Sequence, residues 1–122
     1  MSATDYKYEI RDDLLVIICG AAATVPGVTN FIACTSEKLS GSRYHLLIID
    51  TVSDIIPTVG DITALCDSVA LDTNLRDKIA VCVASVVQVG MGKVLLSVFS
   101  HPIVTLKIFT NEDNAVTWLK SD

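Results

Sequence analysis

The side chains best suited to chemistry in this 122-residue chain are Asp50, Asp54 and Asp61, His45 and His101, Thr58, and the four cysteines Cys19, Cys34, Cys66 and Cys82. Several carboxylates converging near the end of one strand are what Mg²⁺ or Ca²⁺ requires, but Asp50, Asp54 and Asp61 match no ion-loop spacing. They read as loop and cap residues, and neither a metal nor any other cofactor is expected. The histidines are far apart in sequence, and no serine or cysteine sits in a G-x-S-x-G elbow, so the chain names no nucleophile, base or catalytic residue. Gly90, Gly92 and Lys93 lack the G-x-x-x-x-G-K-[ST] spacing of a phosphate loop and read as close helix-to-sheet packing or a turn. With no C-x-x-C pair and each thiol inside an apolar run, the cysteines read as reduced core residues of a cytoplasmic protein. No enzyme is indicated.

Thr58 has two readings that are compatible with each other. Thr58 to Asp61, T-V-G-D, fits a capping box in which the threonine oxygen accepts the amide three residues on and Asp61 reaches back, worth about 1 kcal/mol. A phosphate on the same hydroxyl would meet the favourable end of a helix dipole but also the repulsion of Asp54 and Asp61.

The elements that must position these residues follow from hydrophobic period and punctuation. Tyr6, Tyr8 and Ile10 alternate with polar residues, and Arg11-Asp12-Asp13 turns the chain into the continuous apolar run Leu14 to Cys19. Thr24 and Pro26 open a first helix over Val25 to Leu39, with Val28, Phe31, Ile32 and Leu39 at helical spacing. His45 to Asp50 is a strand buried on both faces, which calls for helices on both sides of the sheet. Ile62, Leu65, Cys66 and Val69 mark a second helix, and Asp72 to Asp77 a polar connector into a buried strand from Lys78 to Val83. A third helix is expected over Val87 to Phe99, ended by His101-Pro102. Val104, Leu106 and Ile108 alternate as an edge strand, and Thr110 with Asp113 caps a closing helix carrying Ala115, Trp118 and Leu119. The order is β-β-α-β-α-β-α-β-α: a single α/β domain over residues 1–122, with a mixed, mostly parallel sheet of about five strands and four helices.

Bulk composition agrees and narrows the function. Apolar residues make up 51% of the chain and the mean hydropathy is +0.54, enough to expect both thorough burial and some apolar surface kept for a partner. The third expected helix, with Val86, Val87, Val89, Met91, Val94, Leu95, Leu96, Val98 and Phe99, carries more apolar residues than one buried face needs and points to a dimer interface or an apolar ligand pocket, a homodimer being the commoner explanation. Val81 to Ser100 has one charge, Lys93, but its glycines, glutamine and serines divide it into a strand and a helix rather than a membrane span. The amino terminus lacks the apolar stretch of a signal peptide. Nine Lys and Arg spread from Lys7 to Lys120 form no basic cluster, and with a net charge of −5 nucleic acid is not an expected partner.

The order of elements, together with L-L-I-I-D (Leu46 to Asp50), K-I-A-V-C-V (Lys78 to Val83), V-G-M-G (Val89 to Gly92) and I-F-T-N-E-D-N-A-V-T-W-L (Ile108 to Leu119), resembles the STAS domain and the small bacterial SpoIIAA-like anti-sigma-factor antagonists, including STAS/SEC14-like single-domain members. The resemblance implies a regulatory module whose loop after the third strand carries a serine, phosphorylated by a partner kinase to switch binding of an anti-sigma factor. Aligning Gly60 with the family glycine puts Thr58 at the serine position and Pro57 where the family has aspartate. The expected function is therefore non-enzymatic protein interaction, through Thr58 with Ser53, Asp54 and Asp61 in the loop from Thr51 to Asp61. A second expectation is a small binding protein for an apolar, lipid-like or nucleotide-like ligand near Asp50, Ser53 and Ser85, at the carboxyl ends of the third and fourth strands.

Overall fold

The computed structural model describes residues 6–39, 43–52, 58–85, 90, 93–94 and 99–121. Its elements are β1 (Tyr6–Arg11), β2 (Leu14–Cys19), α1 (Val25–Ser36), β3 (Tyr44–Asp50), α2 (Val59–Leu71), β4 (Leu75–Val83), β5 (Thr105–Phe109) and α3 (Glu112–Lys120). Among the described residues there are three helices rather than the four expected. The helix read over Val87 to Phe99 falls mostly outside the described residues, with Gly90, Lys93 and Val94 in helical conformation.

The apolar runs become strands because alternate side chains must be buried on both sheet faces. Leu15, Ile17, Leu46 and Ile79 face one core, and Val16, Leu47 and Ala80 face the other, all fully buried. The strands line up in the order β1-β2-β3-β4-β5, with β1 antiparallel to β2 and the remaining pairs parallel. A monotonic order with crossovers of one hand returns each connection over the same face. Accordingly α1 and α2 pack side by side on one face, through Val28, Ile32, Ile62, Leu65, Cys66 and Val69. Among the described residues the opposite face is covered by α3 alone, through Ala115 and Leu119, leaving Ile18, Ile49 and Phe109 half-buried around it.

Several boundaries differ from the sequence reading, each for a tertiary reason. β4 begins at Leu75 rather than Lys78, because Leu75 is buried, pairs with Tyr44 across an irregularity in the ladder, and takes two hydrogen bonds on its carbonyl from Arg43. α1 ends at Ser36 rather than Leu39, where the amides of Lys38 and Leu39 turn back to Thr35 and Ser36. That end is tied down by Ser36, which donates its hydroxyl to Asp72, and by Asn74, which donates its side-chain amide to the Ser36 carbonyl. α3 is capped by Asn111, whose side chain accepts the Asn114 amide at 3.0 Å, and not by Thr110. Cys34 is exposed on α1, in contrast to the core position read for it; Cys19, Cys66 and Cys82 are buried. The β1–β2 turn places Asp12 at φ 54°, a left-handed conformation that aspartate tolerates better than most residues.

Candidate functional site

At the carboxyl end of the parallel strands, β3 finishes on Asp50 and α2 starts at Thr58. Thr58 has extended backbone (φ −104°, ψ 164°), and its hydroxyl oxygen accepts the Asp61 amide at 3.1 Å, so the threonine half of the expected capping box is formed. Thr58 is exposed, and apolar side chains are exposed to either side of it in sequence: Val52 at 62% and Val59 at 42%. From Tyr44 to Leu75 the chain contains no Lys or Arg but five aspartates, of which Asp50 and Asp61 are the described ones at this end, Asp50 being buried. Asp61 is half-buried in the first turn of α2.

Asp50 is not laid open as a ligand: it is 7% exposed, beside Cys19 on the face that α1 and α2 cover. Burial, with the Asp50 charge as a second cause, pushes the Cys19 thiol up to about 12. Burial likewise pushes Cys66 up to about 11 and raises Cys82. These thiols are inert packing groups. Ser85 is half-buried just beyond β4, whereas Ser53, Asp54 and Pro57 lie outside the described residues. The two described aspartates of the sequence reading are therefore in different settings, one in the core and one on a helix cap. Among the described residues no three His, Cys, Asp or Glu side chains are grouped to hold a metal ion.

Both histidines hold the scaffold at the amino end of the parallel strands, His101 on the face covered by α1 and α2 and His45 on the α3 side. His101 accepts the amides of Ile103 and Val104 on Nδ1, at 3.2 and 3.0 Å, which leaves Nε2–H to donate to Asp67 at 2.9 Å. It thus ties α2 to the turn that leads into β5, a job the helix-end reading did not anticipate. His45 lies near the amino end of β3 with Nε2 at 3.4 Å from Asp13 and Nδ1 buried without a partner. Burial lowers its pKa; Asp13 opposes this, and Arg76, Lys120 and Lys78 add to it.

Around His45 the tertiary structure gathers cations that are scattered in sequence. Arg43, His45, Arg76, Asp77, Lys78, Leu119 and Ser121 line a cleft of about 200 Å³ at the amino end of the parallel strands. This corrects the expectation that the Lys and Arg residues form no cluster. A signal was present in the sequence: Arg76 and Lys78 are two apart, hence on one face of a strand, but only if the strand starts at Leu75. Placing the strand start at Lys78 hid it.

No family model matches the chain, and no curated protein matches it. Among solved structures, an uncharacterised DUF3478-family protein from Shewanella loihica PV-4, described as having a SpoIIAA-like fold, superposes with a TM-score of 0.56. The likeness covers 93% of this chain and 91% of that one, at 16% sequence identity. The fold is SpoIIAA-like. In that fold the start of α2 at Thr58 and the cationic cleft around His45 occupy opposite ends of one sheet, separated by the length of β3. No helix among the described residues is long and apolar enough to cross a membrane.

Proposed function

We propose that this chain is a non-enzymatic protein-interaction module that docks a protein partner through the carboxyl end of its parallel strands, with Thr58 at the centre of the contact. The observation that carries this reading is the exposed cap: a threonine hydroxyl at the start of α2 with Val52 and Val59 exposed beside it in sequence. Docking patches combine exposed apolar side chains at their centre with polar groups at their rim. Asp61 in the first turn of α2, with Asp54 ahead of Thr58 in the sequence, favours a partner with a basic surface. The SpoIIAA-like fold supports a regulatory role of the kind that the resemblance implies, with an anti-sigma factor or a kinase as partner, a cytoplasmic setting, and a homodimer formed through the apolar segment from Val86 to Phe99.

In this reading Thr58 is both cap and control point. Phosphorylation would add charge beside the half-buried Asp61 and weaken docking by repulsion and by altering the first turn of α2. The test compares partners retained from lysate by wild type, Val59→Asp, Thr58→Asp and, as a control at the other end of the sheet, Arg76→Gln. A protein held by wild type and Arg76→Gln but lost by Val59→Asp and Thr58→Asp supports the module; identical recovery by all four overturns it. One added phosphate on wild type after incubation with lysate and ATP, missing from Thr58→Ser and Thr58→Ala alike or moved to the new serine, locates the modification.

A further inference from the structure

We propose that the cleft between the amino ends of β3 and β4 and the end of α3 is an anion site for a phosphate-type oxyanion, distinct from the docking surface around Thr58. Its walls carry three cations, Arg43, Arg76 and Lys78, against one carboxylate, Asp77, in a chain whose net charge is −5. The neighbouring Lys120 and Asp13 lie 3.6 Å apart and cancel.

The cations are held in place by different means. Lys78 donates to the carbonyls of Trp118 and Ser121, at 2.9 and 2.7 Å, and to the Ser121 hydroxyl at 3.2 Å, so its donors are spent while its charge remains in the wall. Arg43 is fixed through Nε and Nη2, both donating to the Leu75 carbonyl at 3.2 and 2.8 Å, with Asp77 a further 3.3 Å contact of Nη2. Its Nη1 has no partner among the described residues. Arg76 uses only Nε, on the Arg43 carbonyl at 3.4 Å, which leaves both terminal nitrogens without a partner among the described residues. An anchored guanidinium with a free edge is a pre-organised receptor for an oxyanion, since little side-chain freedom remains to be lost on binding.

His45 supplies the independent observation. Its side chain is 12% exposed and its buried Nδ1 has no partner, in a cleft otherwise lined by donors. A buried polar atom left unsatisfied is costly and rare; with Nε2–H turned to Asp13, Nδ1 is an acceptor while the ring is neutral and becomes a donor to an oxyanion once the ring is protonated. The size of the cleft sets the ligand class: about 200 Å³ is below the roughly 300–1,000 Å³ of sites for drug-sized molecules, and suits one tetrahedral group, free or as the head of a small monoester.

The effect on His45 has a definite sign. Asp13 from the β1–β2 turn, Arg76 and Lys78 from β4 and Lys120 from α3 all face the ring, and burial with the three cations keeps it neutral. A bound dianion offsets part of that cationic field, so the His45 pKa rises on binding. For a ligand of fixed charge, binding then tightens as pH falls and the ring takes up its proton.

The test is heteronuclear NMR of the full chain titrated with inorganic phosphate, then with a sugar monophosphate, at fixed ionic strength. Saturable shifts of the His45 ring, the Arg76 Nε–H and the Ser121 amide are expected, with a raised His45 pKa. Affinity should fall about tenfold or more in Arg76→Gln and be unchanged in Lys7→Gln, on the far end of β1. A higher affinity for the monoester than for free phosphate identifies a phosphorylated small molecule as the source of the group; the reverse identifies the free ion. Shifts that do not saturate, or that survive Arg76→Gln, overturn the proposal. So does a His45 ring that ignores phosphate but responds to Asp122→Asn, since the charge that follows Ser121 in the chain would then be the occupant. Circular dichroism of Arg76→Gln separates lost binding from lost fold.

Discussion

The helices α1 and α2 start with the same local device and end in opposite situations. Thr24-Val25-Pro26-Gly27 and Thr58-Val59-Gly60-Asp61 both place a threonine oxygen on the amide three residues ahead, at 3.1 Å in each case. At α1 the cap is closed over: the Tyr6 hydroxyl accepts the Thr24 amide at 3.1 Å, and the Tyr6 ring stacks on Phe31 with 5.5 Å between centroids. A Cβ on Gly27 would collide with the Tyr6 hydroxyl and come within 2.8 Å of its ring. At α2 a Cβ on Gly60 would meet only the Thr58 oxygen, at 3.8 Å. An identical cap is thus a structural joint in one place and an open surface in the other, and the difference is a single aromatic side chain delivered by β1.

The largest expected contrast between the two helices lies in their cysteines. Cys34 on α1 is exposed, whereas Cys66 on α2 is fully buried with its thiol pushed up to about 11. At about pH 8 only about one Cys66 in a thousand would be thiolate, before access is considered. A disulfide reagent should therefore modify one of the four thiols quickly in the native protein and the other three only in denaturant. Fast labelling of Cys66 would show that α2 opens readily and would break the comparison.

Gly27→Ala should cost about 2 kcal/mol in urea unfolding, because Tyr6 must leave its seat against α1. Loss of the Tyr6–Phe31 contact should appear with it in the near-ultraviolet circular dichroism spectrum. Thr58→Ala should cost about 1 kcal/mol and Thr58→Asp close to nothing, since aspartate caps as well as threonine. Equal losses from both variants would mean that Thr58 does more in the free protein than cap. The smallest effect has the opposite sign: Gly60→Ala should stabilise by about 0.5 kcal/mol, because the site is helical and open. A cost there approaching that of Gly27→Ala would place an unrecognised neighbour over the α2 cap.

The α2 cap was legible in the sequence because a capping motif spans four residues and needs no partner from elsewhere. So were the cores: Leu14 to Cys19 and Leu46 to Asp50 carry their burial in an unbroken apolar run, and Ile62, Leu65, Cys66 and Val69 in helical spacing. The start of β4 was not legible, since Leu75 stands alone among polar residues and owes its place to Tyr44 and Arg43. Nor was the exposure of Cys34, which depends on which side of α1 the sheet lies.

By itself, then, the sequence determined the order of elements, the caps at Thr24 and Thr58 and the apolar faces, because these depend on interactions between residues a few positions apart. Only the tertiary structure decided that Tyr6 closes one cap and leaves the other open, and that among the described residues α3 alone covers one sheet face. It also decided that Arg43, His45, Arg76 and Lys78 share one cleft. Those outcomes depend on how β1, β3 and β4 register in the sheet, which brings together residues from 18 to more than thirty positions apart and leaves no period or motif in the chain.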